Sequence, residues 1–551
     1  MEGKREHWSG NIGFILASAG SAIGLGNIWK FPYITGENGG GAFVLIYLFC
    51  ILLIGIPVML CEFTIGRHTQ KGPVGAFNAL KPKSCNLAHT IGALIVIIAL
   101  ALMCFGNYGW AILFLIIGGI IFISGWTFVG IMGVVAGFII LSFYSVVAGW
   151  TIGYIWHSLS DFWAGDNSVF AASDSTVKTF LTFINGKELT ASDGAIIAKN
   201  LPWYSIICHI TFMIMCMAIV YKGVKEGIEK WSKILMPFLF VLLIALILRA
   251  LSLPGSIEGI KFYLTPRFGM LATKTFWTKS FLIALGHAFF SLSLGMGVMI
   301  TYGSYLSKKE NIFISTLSVA GLDTLVALMA GLAIFPAVFA MGMQPDSGPG
   351  LVFLVLPQVF HKMPLGPLWG TLFFVLLLVA ALTSGISILE VVVSYFMDEL
   401  KFPRHTAVIF SGIVIAALGC LCAVSVGDWS NLEWLHILLV KIFDIKKGNF
   451  FDVMDNIASN WMLPLGGMFI AIFTGWIWGT RHALNEIRHG AKNFGDVHLL
   501  SLLAGLKDDP SHNSDVHVLT LASLWGIFIR FISPLAILVA FLHSIGWIEV
   551  K

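Results

Sequence analysis

Apolar runs long enough to cross a membrane recur along the whole chain and restrict the folds open to it. Each has roughly 20 mostly apolar residues, the length that a spanning helix needs. With 57% hydrophobic and 11% charged residues, the 551-residue chain carries more apolar surface than one soluble core can hide. The pattern predicts an all-α polytopic membrane protein with about eleven transmembrane helices, at 11–34, 41–66, 128–157, 203–221, 230–251, 276–306, 313–340, 366–397, 405–424, 456–479 and 519–547.

Basic residues fall in alternate loops, and this predicts the orientation. Lys4 and Arg5 precede the first run, and further lysines and arginines follow in every second loop, with the loop from Lys261 to Lys279 as an exception. Because basic loops stay on the cytoplasmic side, the N-terminus is expected to be cytoplasmic. The loop 158–202 has no cysteine and no glycosylation sequon, which favours the plasma membrane of a bacterium, its inner membrane.

Two of the runs are interrupted by small residues at corresponding places in two halves of the chain. The interruptions are SAIGLGN at 21–27 and SLSLGMGV at 291–298. Such pairs are typical of transporters built from inverted repeats with a site at the midplane, although glycines can also serve only close helix packing. The expected segments are a cytoplasmic N-terminus at 1–10, a first repeat at 11–252, a second repeat at 253–480, a cytoplasmic polar link at 481–518 and an eleventh helix with the C-terminus at 519–551.

The interruptions also indicate what the site binds. An unpaired backbone group inside the bilayer costs several kcal/mol, so unwound backbone persists only where it lines a cavity or binds a ligand. Freed carbonyls can hold a cation, and the N-terminus of a half-helix attracts an anion. The two breaks together are suited to a zwitterion that travels with sodium.

Five motifs follow one another along the chain in a specific order. They are REHWSGNIGFILASAGSAIGLGNIWKFPY from residue 5, then ENGGGAFVLIYL, SFYSVVAGW, FFSLSLGMGVMITYGSY and ALTSG. Together they resemble the neurotransmitter:sodium symporter family, particularly its bacterial amino-acid transporters, a family in which the two-break architecture is known. The resemblance runs from residue 5 to about 547. It implies a 5+5 inverted-repeat fold with broken first and sixth helices, and sodium-coupled symport of a neutral, hydrophobic L-amino acid by alternating access.

The resemblance implies a substrate site on both interruptions and on the helices that face them. The amides of Leu25 and Gly26, with the hydroxyl of Tyr144, are expected to receive the substrate carboxylate. The ammonium group is expected at Ala22, Phe290 and Ser293, and the substrate side chain at Ile140, Phe290, Met296, Ser384 and Ile388.

The resemblance also implies sodium ions, two of them, held by the hard oxygen ligands that a hard cation prefers. The substrate carboxylate would complete the first site, so ion and substrate should each bind better when the other is present. The first site is expected at Ala22, Asn27, Ser291 and Asp323, and the second at Gly20, Ile23, Ala380, Thr383 and Ser384.

Gly24 bears on the class of substrate. Amine-transporting relatives resemble this pattern but carry an aspartate at this position, which meets a ligand without a carboxylate. A glycine here therefore implies a substrate that brings its own carboxylate. The apolar lining, with a methionine that adapts to different shapes, favours a bulky apolar side chain, and leucine, methionine, tyrosine and tryptophan all fit.

Charged residues near both ends of the pathway are expected to act as gates, with interfacial charges that snorkel to water as the alternative. The resemblance places Lys30 and Asp455 above the site, with Tyr144 and Phe290 as a lid. Lys30 stands where the family nearly always has arginine, so its ion pair should be looser. The cytoplasmic gate is expected at Arg5, Asp398, Trp8 and Tyr305.

Three residues near the first ion site depart from the family. Asp323 stands where most relatives have asparagine, and Ala327 where many have serine or a carboxylate. Chloride-dependent relatives offset the sodium charge with an anion there, and a fixed carboxylate beside a cation does the same directly. Transport is therefore expected to be independent of chloride, with Asp323 taking up a proton when sodium leaves. His287 replaces a glutamine and is interpreted as a hydrogen-bonded wall residue rather than a proton carrier.

An insertion at 88–124 is the largest departure. Two apolar segments, 91–105 and 110–123, intervene around GNYG between flanks that should both be cytoplasmic. At 1.5 Å per residue they reach about 21 to 23 Å, short of the ~30 Å hydrocarbon core. An inserted apolar hairpin that re-enters the same side is therefore expected, with two short tilted spans as the alternative.

Other functional classes fit the sequence less well. An amino-acid receptor that binds without net transport would use the same site, but no soluble signalling domain is expected. An exchanger of the related helical-bundle class would lack Thr383 and Ser384. Asp323 and His287 have no nucleophile or metal constellation beside them, so an enzyme is not indicated, and no basic stripe interleaved with aromatics indicates nucleic acid. The expected partners are the amino acid and membrane lipid; the sequence indicates no oligomeric state.

Overall fold

Helices make up nearly all of the structure. The computed structural model describes residues 6–82, 89–90, 92–97, 100, 115, 118–119, 121–164, 187–189, 196–198, 202–267, 269, 273–345, 350–427, 449–491, 494 and 520–544. Within these residues the strands β1 (Lys187–Leu189) and β2 (Ile196–Ala198) form one antiparallel hairpin. In chain order the helices are α1 (Asn11–Ala22), α2 (Gly26–Glu37), α3 (Gly41–Thr69), α4 (Pro73–Leu80), α5 (Thr127–Trp163), α6 (Trp203–Tyr221), α7 (Val224–Leu251), α8 (Ser256–Leu264), α9 (Lys274–Ser291), α10 (Val298–Gly303), α11 (Ile312–Ala340), α12 (Leu351–His361), α13 (Gly366–Asp398), α14 (Arg404–Val426), α15 (Phe450–Ile477), α16 (Thr480–Arg488) and α17 (Leu521–His543).

The spans agree with the expected architecture. In the described part of the chain, nine helices are long and apolar enough to cross a membrane by themselves: α3, α5, α6, α7, α11, α13, α14, α15 and α17. Helices α1 and α2 form a further span, bent by 47° at the first interruption. The sixth apolar run is divided into α9 and α10 at the second interruption. The prediction of a polytopic helical protein with broken first and sixth helices is thus confirmed.

The second break follows from backbone conformations that few residues tolerate. Ser293, Gly295 and Gly297 have φ of +53°, +82° and +79°, in the left-handed region where glycine is not strained. A Cβ on Gly295 would also lie 2.3 Å from the carbonyl oxygen of Leu463 on α15. The glycines therefore end α9, and they allow α15 to approach the unwound segment closely.

Prolines account for much of the irregularity inside the spans. Proline has no N–H and its ring clashes with the carbonyl four residues earlier, so the helix locally widens. In five places a π-helical turn is followed two residues later by a proline. These turns and prolines are Gly26–Lys30 with Pro32, Ile51–Gly55 with Pro57, Leu351–Val355 with Pro357, Asn456–Met462 with Pro464, and Phe528–Ile532 with Pro534.

Burial distinguishes the central helices from the peripheral ones. In the most apolar stretch of α13, 83% of the residues are buried, against 28% for α17. Helix α13 packs on α1, α5, α6, α7 and α14. It therefore crosses the middle of the bundle, and its residues face both the first break and α5.

Part of the insertion is described. Residues 92–97 are helical, as are 118–119 and 121–124, and the two segments run antiparallel. A Cβ on Gly92 would lie 2.5 Å from the amide nitrogen of Phe122, and one on Gly118 would lie 2.9 Å from that of Val96. The two glycines therefore allow these helical segments to pack closely against each other. The rest of 88–124 lies outside the described residues, so re-entry into the membrane stays a prediction.

The start of the expected polar link at 481–518 is a docked helix. In α16 the side chain of Glu486 is buried and pairs with Arg67 at the end of α3, with 2.8 Å between Oε1 and Nε. Although burial raises the pKa of this carboxyl, hydrogen bonding from His68 and the charge of Arg67 hold it below its ordinary value. Residues 492–493 and 495–518 lie outside the described part.

Candidate functional site

A narrow cavity lies where the two broken spans face each other. It is enclosed by the break between α1 and α2, the unwound segment after α9, and the middle of α5 and α13. All ten residues that the resemblance assigned to the substrate line it, together with Ser21 and Gly24, which were not assigned. The lining consists of Ser21, Ala22, Gly24, Leu25, Gly26, Ile140, Tyr144, Phe290, Ser293, Met296, Ser384 and Ile388.

One end of the cavity is polar because of the first break. The Leu25 amide donates to the Tyr144 hydroxyl at 3.4 Å, and that hydroxyl donates to the Ala381 carbonyl at 3.3 Å. The positive end of α2 therefore faces the cavity beside a hydroxyl, which suits a carboxylate. A Cβ on Gly24 would lie 2.4 Å from Ser384 Oγ and 2.9 Å from the Tyr144 hydroxyl. An aspartate at this position would therefore force Ser384 and Tyr144 to shift.

A buried carboxylate lies beside the cavity, at the expected first ion site. Asp323 is 0% exposed. Its Oδ1 accepts from Asn27 Nδ2 at 2.8 Å and its Oδ2 from Ser291 Oγ at 2.9 Å, while Tyr47 donates to Ser291 at 3.3 Å. No lysine, arginine or histidine pairs with Asp323 in the described part of the chain. Because a buried charge needs a countercharge, these oxygens fit a hard cation such as sodium, with Ala22 at the adjoining end of α1.

The expected second ion site is formed between the end of α1 and the middle of α13. Ser384 Oγ lies 2.8 Å from the Ser21 carbonyl oxygen, 3.3 Å from that of Ile23 and 3.4 Å from that of Gly20. Thr383 Oγ1 lies 3.0 Å from the Ala380 oxygen and 3.4 Å from that of Ile23. The five residues carried over for this site are therefore together. The carbonyls at the end of α1 and in the middle of α13, with two hydroxyls, offer only oxygen to an ion.

Sequence comparison agrees with this geometry. The model of the sodium:neurotransmitter symporter family matches residues 5–127 and 121–491. The chain belongs to this family. It is therefore a sodium-dependent membrane transporter and not an enzyme, as the sequence indicated.

Individual relatives match over nearly their whole length. The chain is 36% identical to the uncharacterized sodium-dependent transporter YhdH of Bacillus subtilis, with 99% of each chain covered. It is 31% identical to an uncharacterized sodium-dependent transporter of Haemophilus influenzae, with 98% of each covered. The crystal structure of MhsT in complex with L-phenylalanine superposes with a TM-score of 0.73 at 40% identity, covering 98% of this chain and 100% of that one.

The expected ion pair above the cavity of this symporter is not formed. Lys30 Nζ lies 4.3 Å from the centroid of the Phe290 ring, and Asp455 Oδ1 accepts from Ser459 one turn along its own helix at 2.6 Å. No ion pair joins Lys30 to Asp455 among the described residues. The prediction of this pair is therefore wrong for this conformation. The flexible side chain of Lys30 allows its ammonium group to lie over the aromatic face of Phe290. Phe290 in turn lines the cavity on this side.

At the opposite end of the bundle, Trp8 is held against the segment that follows the second break. Its indole N–H donates to the Tyr302 carbonyl at 3.0 Å, and its amide donates to the Tyr305 carbonyl at 3.3 Å. Asp398 accepts from the amide of Gly72 at 2.7 Å. Arg5 lies outside the described residues, so its pair with Asp398 stays a prediction.

A largely buried ion pair that was not predicted from the sequence lies at this same end. Glu390, fully buried on α13, pairs with Arg404 Nη2 at 2.6 Å and accepts from the Tyr305 hydroxyl at 2.7 Å. Arg404 also lies 4.0 Å from Glu6, which accepts from the amide of Val224 at 2.6 Å. The signal was present, since a carboxylate inside an apolar run is usually functional. The network joins the N-terminal segment to α7, α13, α14 and the segment that follows α10.

A second missed carboxylate supports the break of the sixth span. Glu62, fully buried on α3, accepts from the amide of Gly295 at 2.8 Å through Oε1. This amide has no helical partner because the chain is unwound at that point. Glu62 therefore satisfies backbone that the break leaves free, and its place in the run 41–66 was the available signal.

His287 is a wall residue, but not a hydrogen-bonded one. It is 2% exposed and packs against both Phe31 and Tyr47, with ring centroids 5.7 and 5.3 Å away. Neither ring nitrogen has a hydrogen-bond partner among the described residues. The expectation of a hydrogen bond was therefore wrong, because the apolar and aromatic neighbours of His287 come from helices that the sequence could not place beside it.

We expect Glu390→Gln to destabilise the protein. The substitution leaves the largely buried Arg404 beside a neutral amide, with Glu6 at 4.0 Å as a remaining carboxylate, and breaking a buried pair costs up to about 3 to 5 kcal/mol. A comparable decrease in the free energy of unfolding should be measured in detergent. Glu258→Gln is the matched control, because Glu258 and its partner Lys261 are both 62% exposed and such pairs contribute about 1 kcal/mol or less. Equal effects of the two substitutions on the free energy of unfolding would contradict the assignment of Glu390 and Arg404 as a stabilising buried pair.

Proposed function

We propose that the protein carries out sodium-coupled symport of a neutral, hydrophobic L-amino acid by alternating access, without a requirement for chloride. The observation that carries this proposal is that one break, at residues 20–27, borders the cavity and both candidate ion sites. An ion that orders this backbone also orders the substrate site. Binding of the ions and of the amino acid is thereby coupled through shared groups.

The cavity supports the substrate class. Leu25 and Gly26 present the positive end of α2 to a carboxylate, and Tyr144 adds a hydroxyl. The carbonyls at the end of α1 and the hydroxyl of Ser293 are available to an ammonium group. Among the described residues no charged side chain lines the cavity, which supports a neutral substrate side chain. It lies against Ile140, Met296 and Ile388. The similar protein MhsT, which was solved with L-phenylalanine, supports a bulky apolar amino acid.

Two sodium ions are proposed, one at each group of oxygens. The first would bind Asp323, Asn27, Ser291 and Ala22 together with the substrate carboxylate, and the second would bind between α1 and α13. In the proposed cycle Phe290 and Lys30 cover the site at one end of the bundle, and Trp8 with the Glu390 network closes the other. The N-terminus is proposed to be cytoplasmic, with the protein in the inner membrane of a bacterium.

The first test is uptake of labelled tryptophan, phenylalanine and leucine into proteoliposomes, with external sodium or potassium. Accumulation should require the sodium gradient and should be lost in Asn27→Ala. Asn38→Ala is the matched control, since Asn38 donates to the Ile34 carbonyl at the end of α2, away from the ion sites. Saturable binding without accumulation under any sodium gradient would instead identify an amino-acid receptor.

We expect transport to continue at its full rate when chloride is replaced by gluconate. The carboxylate of Asp323 already offsets the charge of the first ion, so an additional anion is not needed. The measurement is the initial rate of sodium-driven uptake in both salts at equal sodium concentration. A strong loss of rate in gluconate would show that Asp323 does not replace the anion.

A further inference from the structure

A second cavity lies away from the substrate pathway, near the Lys30 end of the bundle and between α7, α11, α12 and α13. We propose that it binds an anionic phospholipid of the surrounding membrane, with the phosphate at Arg249 and an acyl chain in the cavity. Neither the transport cycle nor the comparisons assign a role to this place. Binding here does not depend on the proposed substrate.

The cavity exists because small residues face one another across two packed helices. Ala250 on α7 and Ala333 and Ala337 on α11 line it, where larger side chains would fill the space. Phe360 of α12 and Phe373 of α13 form its opposite apolar wall. An apolar lining of this kind suits a hydrocarbon chain and not a free inorganic anion.

Arg249 provides the polar end of the cavity. Its guanidinium lies 5.7 Å from the Trp369 ring centroid, and Nη1 donates to Ser252 at 3.4 Å. Its Nε is buried and has no hydrogen-bond partner among the described residues. An unpaired buried donor on a cation is unfavourable, and a guanidinium matches the oxygens of a phosphate with paired hydrogen bonds. The charge and the free donor both indicate an anionic headgroup.

A second arginine shows the difference. Arg530 lies 5.6 Å from the Trp476 ring centroid, so its aromatic contact is similar. Its Nε donates to the Gly475 carbonyl at 3.0 Å and its Nη2 donates to Thr480 at 2.9 Å. The Nε and Nη2 donors of Arg530 therefore find acceptors within the protein, whereas Nε of Arg249 has no acceptor among the described residues.

The membrane supplies the proposed ligand directly. Leu248 and Leu365, which flank the cavity-lining segments in sequence, are 65% and 63% exposed. Such apolar surface on a spanning bundle is covered by lipid chains, and an arginine near the end of a span meets headgroups. The bound chain would contact α12, whose Phe353 carbonyl accepts from Tyr154 at 2.7 Å and whose Phe353 ring lies 6.3 Å from that of Trp29. The lipid would thereby support the structure around the Lys30 end.

The test is native mass spectrometry of the full-length protein with added phosphatidylglycerol or phosphatidylcholine. The protein should retain phosphatidylglycerol in preference, and Arg249→Gln should weaken its binding about tenfold, which corresponds to about 1.4 kcal/mol. Ala337→Leu should lower retention by filling the cavity. Arg530→Gln, which removes the same charge elsewhere, should leave it unchanged.

Three outcomes would overturn the proposal. Equal retention of both lipids would show that the cavity binds acyl chains without recognising the headgroup. Equal loss in Arg249→Gln and Arg530→Gln would show general attraction of anionic lipid, and full competition by inorganic phosphate would show an anion site without an acyl chain. Unchanged unfolding midpoints of the variants serve as the folding check. Because the readout is lipid retention, a failure of amino-acid uptake would not affect it.

Discussion

Asp323→Asn should raise the sodium concentration needed for half-maximal uptake about 100-fold, which corresponds to about 3 kcal/mol. The substitution keeps the shape of the side chain and removes the charge that the first ion is expected to meet. Asn27 and Ser291 both donate to this carboxylate, and hydrogen bonds to a charged group contribute about 1.5 to 3 kcal/mol each. The measurement is the sodium dependence of tryptophan uptake and of tryptophan binding.

Asp452→Asn is the matched control for this charge removal. Asp452 is exposed at the start of α15, where it takes part in the cap formed with Asn449. Its substitution should leave the sodium dependence unchanged. If both substitutions shift it equally, the effect comes from net charge and the first ion site is not at Asp323.

Gly24→Asp should abolish uptake of amino acids, with a loss of at least about 100-fold in substrate affinity. The new Cβ would lie 2.4 Å from Ser384 Oγ, so the second ion site must shift as well. The added carboxylate would also occupy the place proposed for that of the substrate, and like charges in a buried site repel. Binding of labelled tryptophan at saturating sodium measures the loss directly.

Gly286→Ala separates this effect from the general cost of replacing a glycine in a span. A Cβ at Gly286 meets no heavy atom within 4 Å, so this variant should bind tryptophan as the unmodified protein does. Gly24→Ala is expected to fall between the two, because it introduces the steric conflict without the charge. Normal binding by Gly24→Asp would place the substrate carboxylate elsewhere.

The elements and the breaks of this protein could be predicted because they depend on local properties of the chain. Hydropathy over about 20 residues defines a span wherever the rest of the chain lies. Glycines 295 and 297 interrupt a helix through their own backbone preferences, and glycines 24 and 26 lie at the first break. The resemblance to the family then predicted that residues such as Tyr144 and Ser384 form one substrate site. In the structure all ten residues expected at this site line one cavity.

The predictions that failed concern pairs of groups. Lys30 was expected at Asp455, yet it lies over Phe290. His287 was expected to hydrogen-bond, yet it packs against the rings of Phe31 and Tyr47. In both cases the contact that forms depends on which side chain of a distant segment lies nearby in the folded protein. A lysine side chain is also long enough to reach several partners. Spacing along the sequence carries no information about such choices.

The sequence by itself determined the membrane class, the spans, their two breaks and the family, because hydropathy, glycine placement and ordered motifs are properties of contiguous residues. Only the tertiary structure decided that Glu390 pairs with Arg404, that Glu62 supports the second break and that Arg249 borders an apolar cavity. The physical reason is that the energy of a buried charge or an empty space depends on its neighbours within a few ångströms. Those neighbours come from helices far apart in the chain.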